Sequence, residues 1–213
     1  MSASATHQRQ QRQKNIFELV KKQQKQQRGG NKEKNKNKNK NTANKKKPSE
    51  YLKVVKITGD GRCMFRAVAL GLAHASKRNI TKTEETEEAD TLRMACFEQM
   101  CKTEEKRREN PEASMAVKYG EGGLESYCRR LQREDFWGGE VELLIVAKMI
   151  KRPIKVYLPA HMVKNAASRD GFLCIQTYGE AFAERTSKRT GKKIVRDPIK
   201  LCYDGAAHYD LLI

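Results

Sequence analysis

A turn that runs straight into an apolar helix, Gly59-Asp60-Gly61-Arg62-Cys63-Met64-Phe65-Arg66-Ala67, leaves this chain few architectures to choose from. Two glycines around one aspartate predict a tight backbone path, because glycine reaches dihedral angles closed to other residues. Phe65, Val68 and Leu72 then recur at helical spacing and predict a helix anchored in a core. Cys63 falls in the first turn of that helix. Unpaired N–H groups and the positive end of the helix dipole there favour a thiolate. The plain alternative is a core cysteine that happens to open a helix.

The C-terminal stretch changes the balance. Ile199, Leu201 and Tyr203 alternate as one face of a strand, Asp204-Gly205 signals a turn, and Tyr209 to Ile213 reads as a second strand. His208 therefore sits at the mouth of a hairpin. Asp210, two residues on, points to the same face of the sheet. A carboxylate in that place can fix the tautomer and orientation of the imidazole. A cysteine nucleophile needs such a base to take or share its proton. Taken singly, His208 is a turn histidine and Asp210 a strand-edge charge; with Cys63 they point to nucleophilic catalysis.

Composition divides the chain unevenly. Residues 1–50 hold fifteen Lys and Arg against three acidic residues, about +12 of the net +18. They include Gln runs and an Asn-Lys alternation from Asn35 to Asn41, with few apolar residues, clustered at Ile16, Phe17, Leu19 and Val20. Such a segment cannot bury enough apolar area to offset the entropy of ordering it, and a disordered basic low-complexity tail is expected. The remaining stretch, roughly 160 residues, is ample for one core.

Helices are expected from Cys63, over about Glu84 to Lys102, around Leu124 to Leu131, and over Val141 to Ile150; the acidic run Glu84 to Asp90 suits a helix N-terminus. Strands are expected around Tyr51–Ile57, Ile154–Leu158, Phe172–Tyr178 and Ile199–Tyr203 and at the end. Residues 179–197, polar and basic, read as an exposed loop. Helices first and strands later predict an α+β fold.

No run is apolar enough to cross a membrane, and the N-terminus lacks the apolar stretch of a signal peptide. A cytoplasmic or nuclear setting is expected, with all six cysteines as thiols. Cys96 and Cys101 have no second Cys or His pair at zinc-ligand spacing, so no metal site is expected.

Three blocks carry a family resemblance. Asp60-Gly61-x-Cys63-x-Phe65-Arg66-Ala67, Trp137-Gly138-Gly139-x-x-Glu142-Leu143 and His208-Tyr209-Asp210, in this order across residues 51–213, resemble the ovarian tumour (OTU) family of cysteine proteases. The resemblance implies an OTU-like fold, a small mixed sheet packed between helices. It also implies deubiquitinase activity: hydrolysis of isopeptide bonds after the C-terminal Gly-Gly of ubiquitin or a ubiquitin-like modifier, through a thioester and without a cofactor.

Residue by residue, it makes Cys63 the nucleophile, His208 the general base and Asp210 the residue that orients His208. Asp60 belongs to the site, on the loop that with Gly61 and Arg62 shapes the oxyanion hole. Its ordinary reading is an Asx-turn, and whether Asp210 or Asp60 is the third catalytic residue stays open. Trp137, Gly138, Gly139 and Tyr209 are expected to contact substrate. Trp137 on its Gly-rich turn suits either the wall of a groove or an anchor for the helix that follows.

The resemblance implies ubiquitin or polyubiquitin chains as partners, met by a monomer, while the charge of the basic tail suits a weak nucleic-acid contact. Two other classes stand beside this reading. One is a basic RNA-binding protein with a non-catalytic folded domain, whose tail, with Phe17 as its one aromatic, would hold phosphates by charge alone. The other is a module that binds ubiquitin without cleaving it, against which the intact Cys63, His208 and Asp210 set speaks.

Overall fold

Short strand β1 (Val54–Val55) leads through the Gly59–Gly61 turn into helix α1 (Cys63–Ala75). The computed structural model describes residues 50–213 except positions 165 and 188, so the tail expected over residues 1–50 lies, apart from Glu50, outside the described residues. Glu50 itself is part of the fold. Its N–H and C=O both pair with Phe172 at 2.8 Å, and its carboxylate accepts the Tyr157 hydroxyl at 3.0 Å.

Phe65 and Val68 of α1 are fully buried, as their spacing predicts. Helix α2 (Lys82–Phe97) starts at Thr81, whose hydroxyl accepts the N–H of Glu84 while the Glu84 carboxylate accepts the N–H of Thr81. This reciprocal box satisfies two donors that a helix start leaves open. A π turn over Glu98–Lys102 follows, then α3 (Glu104–Arg108), α4 (Pro111–Gly120), α5 (Leu124–Leu131) and α6 (Glu140–Ile150).

The strands follow the helices: β2 (Ile154–Pro159), β3 (Phe172–Tyr178), β4 (Glu184–Thr186), β5 (Lys193–Val195), β6 (Ile199–Tyr203) and β7 (Tyr209–Leu212). The main sheet runs β1-β7-β6-β2-β3. β2 and β6 are parallel and the other neighbours antiparallel, so the sheet is mixed and the fold α+β. The β6–β7 hairpin sets Cys202 opposite Asp210 and Tyr203 opposite Tyr209. Residues 179–197, expected as a loop, instead carry the β4–β5 ribbon. All of its strand residues are exposed, so no buried face imposes the apolar alternation by which a strand is recognised.

Helix α1 lies on β6 and β7, where Gly71 comes so near that an added Cβ would sit 2.7 Å from Ile199 and 3.1 Å from Leu211. The core there joins Phe65, Tyr127, Leu143, Ile145, Ile154 and Leu201. A smaller cluster gathers Tyr157, Cys202 and Leu212 with Leu52, Val54 and Phe172.

One expectation about cysteine fails. Cys101, in the π turn, and Cys128, in α5, form a disulfide with their Cα atoms 5.7 Å apart, while Cys63, Cys96, Cys174 and Cys202 are free. The two halves stand 27 positions apart. Only the packing of the π turn on α5 brings them within bridging distance. Among the described residues, no helix is long and apolar enough to cross a membrane.

Candidate active site

The loop that leads into Cys63 is organised by Asp60. Its Oδ1 accepts the N–H of Arg62 at 2.9 Å, and its backbone carbonyl accepts the N–H of Cys63 at 3.2 Å. The Asx-turn is therefore present. It engages the Arg62 N–H, one of the donors expected for an oxyanion. Arg66, 8% exposed, closes over the same carboxylate with Nε at 3.1 Å and Nη2 at 2.9 Å from Oδ2.

Helix α2 holds both arginines from outside. Arg66 reaches Glu85 at 3.3 Å and Thr86 at 2.7 Å, and Arg62 reaches Asp90 at 2.9 Å and Glu134 at 3.1 Å. Glu84 of the acidic run caps the helix, as its position suggests. Glu85 and Asp90 instead clamp the loop that carries the thiol.

The reason for Gly61 differs from the one expected. Neither Gly59 nor Gly61 has a positive φ. What Gly61 supplies is room, since a Cβ there would fall 2.5 Å from the backbone carbon of Asp135. The Trp137-Gly138-Gly139 segment just beyond is fitted to α1 in the same way. A Cβ on Gly138 would lie 2.4 Å from Met64 Cε and 3.0 Å from Phe65 Cε2. Gly138 and Gly139 are buried and Trp137 is half-buried. Glu142 secures this segment: its Oε2 accepts the Gly139 N–H at 2.7 Å and its Oε1 the Tyr127 hydroxyl at 2.6 Å. Burial pushes the Glu142 carboxyl up to about 7 despite these two donors.

Across from the loop, the β6–β7 turn carries His208. Asp204 Oδ1 accepts the N–H groups of Ala206, Ala207 and His208 at 2.8, 2.9 and 2.9 Å, and the Tyr203 hydroxyl donates to Ala206 O at 2.7 Å. His208 Nε2 lies 3.1 Å from Asp210 Oδ1, which also accepts the N–H of Ile57 at 2.9 Å. With Nε2–H given to Asp210, the Nδ1 lone pair is left free, on the side where a Cβ at Gly59 would approach it to 4.0 Å. Cys63 Sγ meets this turn at Ala207 O, 3.9 Å away, one residue before His208.

The turn that carries His208 and Asp210 thus meets Cys63 through Ala207, and Asp60 is near enough for its charge to act on the thiol. Tyr209 is placed differently from a substrate contact: its ring is buried against Tyr203, with centroids 4.9 Å apart. Its backbone N–H faces the sulfur.

Cys63 is 2% exposed, and burial pushes its thiol up, more than the N–H groups of Tyr209 and Met64 pull it down; Asp60 and Asp204 add to the rise. The helix start alone does not make a thiolate here. Burial of the sulfur works against the thiolate that the helix start would favour. Asp210 behaves in the opposite way. Burial would raise it, but the Ile57 N–H, Lys56 and His208 outweigh burial and hold it below the usual carboxylate range. Sequence reasoning missed Asp204, Arg66, Asp90 and Tyr127. Of these, Asp204 carried a signal as the first residue of an Asp-Gly turn, and Arg66 as a member of the block around Cys63. Among the described residues, no group of three or more His, Cys, Asp or Glu is arranged to hold a metal ion.

The profile described as OTU-like cysteine protease matches residues 58–210, from just before the loop that leads into Cys63 to Asp210. The chain belongs to this family. It is 40% identical over 168 residues to the Arabidopsis thaliana OVARIAN TUMOR DOMAIN-containing deubiquitinating enzyme 3, covering 78% of this chain and 70% of that protein. To deubiquitinating enzyme 4 of the same series and organism it is 30% identical over 161 residues, 75% of this chain and 43% of that one. Among solved structures it is similar to an OTU deubiquitinase from Wolbachia pipientis wMel bound to ubiquitin, at 18% identity and TM-score 0.49, over 76% of this chain and 95% of the other.

Proposed function

We propose that this chain is a cysteine-dependent deubiquitinase that hydrolyses the isopeptide bond after the C-terminal Gly-Gly of ubiquitin. The observation that carries the reading is the His208–Asp210 pair, joined at 3.1 Å and mounted on the turn that touches Cys63 Sγ. The 40% identity to a deubiquitinating enzyme supports the choice of substrate.

Cys63 Sγ attacks the glycine carbonyl carbon as its proton passes to His208 Nδ1, and Asp210 stabilises the imidazolium that forms. N–H groups of the Asp60–Cys63 loop receive the oxyanion. Each such donor contributes about 3–4 kcal/mol in comparable sites, and here Asp60 must yield the Arg62 or Cys63 N–H to it. The tetrahedral carbon then expels the lysine amine, which takes the proton from His208. Water, deprotonated by His208, splits the thioester and returns the thiol and a free ubiquitin carboxylate.

All of these side chains come from one chain, so a monomer suffices. The basic N-terminal segment would add a salt-sensitive contact to nucleic acid.

The test is a ubiquitin carrying a C-terminal electrophile, together with a panel of linkage-defined diubiquitins. Labelling and cleavage by wild type, and neither by Cys63→Ala, is the expected result. Ubiquitin binding with no cleavage of any linkage would replace this reading with a non-catalytic ubiquitin-binding module.

A further inference from the structure

Lys56 belongs to none of the three sequence blocks, yet its Nζ lies 2.9 Å from Asp210 Oδ2. The two oxygens of Asp210 are thus divided. Oδ1 takes His208 Nε2 and the Ile57 N–H, and Oδ2 takes Lys56. The Lys56 side chain is 83% exposed and that of Asp210 9%. A pair so open on one side contributes little to folding stability. It does change the charge that His208 meets, because the carboxylate orienting the imidazole is shared with an ammonium.

We propose that Lys56 is a positioning residue of the active site, acting through Asp210 to keep His208 neutral, and so able to accept the Cys63 proton, at lower pH than Asp210 alone would allow. This rests on the deubiquitinase reading only for its kinetic consequence. A bare carboxylate stabilises the imidazolium; a carboxylate already paired stabilises it less, and the ammonium repels it directly.

The other charged and titratable groups around His208 leave this role to Lys56. Asp204, below it in the turn, receives its backbone N–H. Cys63, from α1, has its thiol pushed up by burial. Asp60, on the loop before Cys63, is paired with Arg66, while Arg62 is turned away to Asp90 and Glu134. Tyr203 and Tyr209 are both pushed up by burial and stay uncharged. Among the described residues, Lys56 is the one cation bonded to the Asp210 carboxylate.

With burial pushing the Cys63 thiol up, the acid limb of kcat/KM should report proton uptake by the imidazole. Loss of the ammonium should move that limb to higher pH by roughly half a unit, the scale of one charge a few ångströms away near the protein surface.

The experiment uses the full chain with Lys56→Met, and Lys56→Arg, which keeps the cation. kcat/KM on a fluorogenic ubiquitin C-terminal amide is followed against pH at low and high salt. In parallel, the His208 ring is titrated by NMR in a Cys63→Ala background, its signal assigned by its loss in His208→Asn. The NMR arm needs no turnover, so it stands even if the substrate is not ubiquitin. Expected are an upward midpoint in Lys56→Met by both readouts, the wild-type midpoint in Lys56→Arg, and a smaller difference at high salt. An unchanged His208 midpoint in Lys56→Met overturns the proposal. So does an equal shift in Lys56→Arg, which would show that side-chain shape rather than charge is responsible.

Discussion

Three N–H groups converging on one oxygen make Asp204 the residue that sets where His208 begins. Replacing it with alanine leaves the turn to Gly205 and the Tyr203 hydroxyl alone. Asp204→Ala should therefore lower kcat by about 10- to 100-fold with little change in KM, since a small displacement of a catalytic group carries that cost. Asp204→Asn, which retains an acceptor, should recover most of it; equal kcat in wild type and Asp204→Ala would remove Asp204 from the site. His208→Ala should lose about 10³-fold or more in turnover. For the orienting residue Asn is the cleaner change, because Asp210→Ala would also strand the buried Ile57 N–H, at a cost of about 1–3 kcal/mol. Asp210→Asn should impair turnover less than His208→Ala, and a fully active Asp210→Asn beside an inactive Asp60→Asn would make Asp60 the third catalytic residue.

Loop, helix and Trp137 segment fit one another through two glycines, and this sets the expectations for whole elements. Gly61→Ala drives a methyl group into the Asp135 backbone, which has no flexible end to give way; urea unfolding should show a loss of about 1–3 kcal/mol. Glu142 makes the same region pH-sensitive. Its folded carboxyl holds a proton up to about 7, against 4.5 for the free group. Between those values the native state binds more protons than the unfolded chain, so stability falls as pH rises, by up to about 1.4 kcal/mol per pH unit. Glu142→Gln should flatten that slope, and an identical slope in both proteins would mean that Glu142 is ionised in the fold. Elements were legible in the sequence where one face is buried. The α1 period at Phe65 and Val68 and the β6 alternation at Ile199, Leu201 and Tyr203 announced themselves, and with them Cys63, His208 and Asp210. Helix α3 buries nothing, and α4, which opens on Pro111, buries only the small Ala113, Ala116 and Val117, so neither stands out by large apolar residues at helical spacing. The role of Gly61 depends on Asp135, far along the chain, and no local pattern carries it.

At the scale of the whole molecule, the Cys101–Cys128 bond closes a loop of 27 positions, which in the chain-entropy account stabilises the fold by about 3–4 kcal/mol. Cys101→Ser, or reduction of the wild type, should lower Tm by roughly 10 °C, and equal melting of oxidised and reduced protein would show that the bond constrains nothing. A chain begun at Pro48 keeps Glu50 and its pairing with Phe172, and should match the full chain on diubiquitin. It should also lose most nucleic-acid affinity; affinity that survives would move the basic contact to the β4–β5 ribbon. The β1–β7 pairing has a consequence in time. Asp210 is bonded to Ile57 and Lys56 across 153 and 154 positions, among the most distant contacts the chain makes. Helices can form from near neighbours, but closing so long a loop is slow and comes at high entropic cost. A refolding chain should therefore recover its helical signal before its hydrolysis, and an intermediate with α1 formed would carry Cys63 without its base. Full activity then marks the moment when the two ends of the domain have met, and a half-folded protease is an inert one.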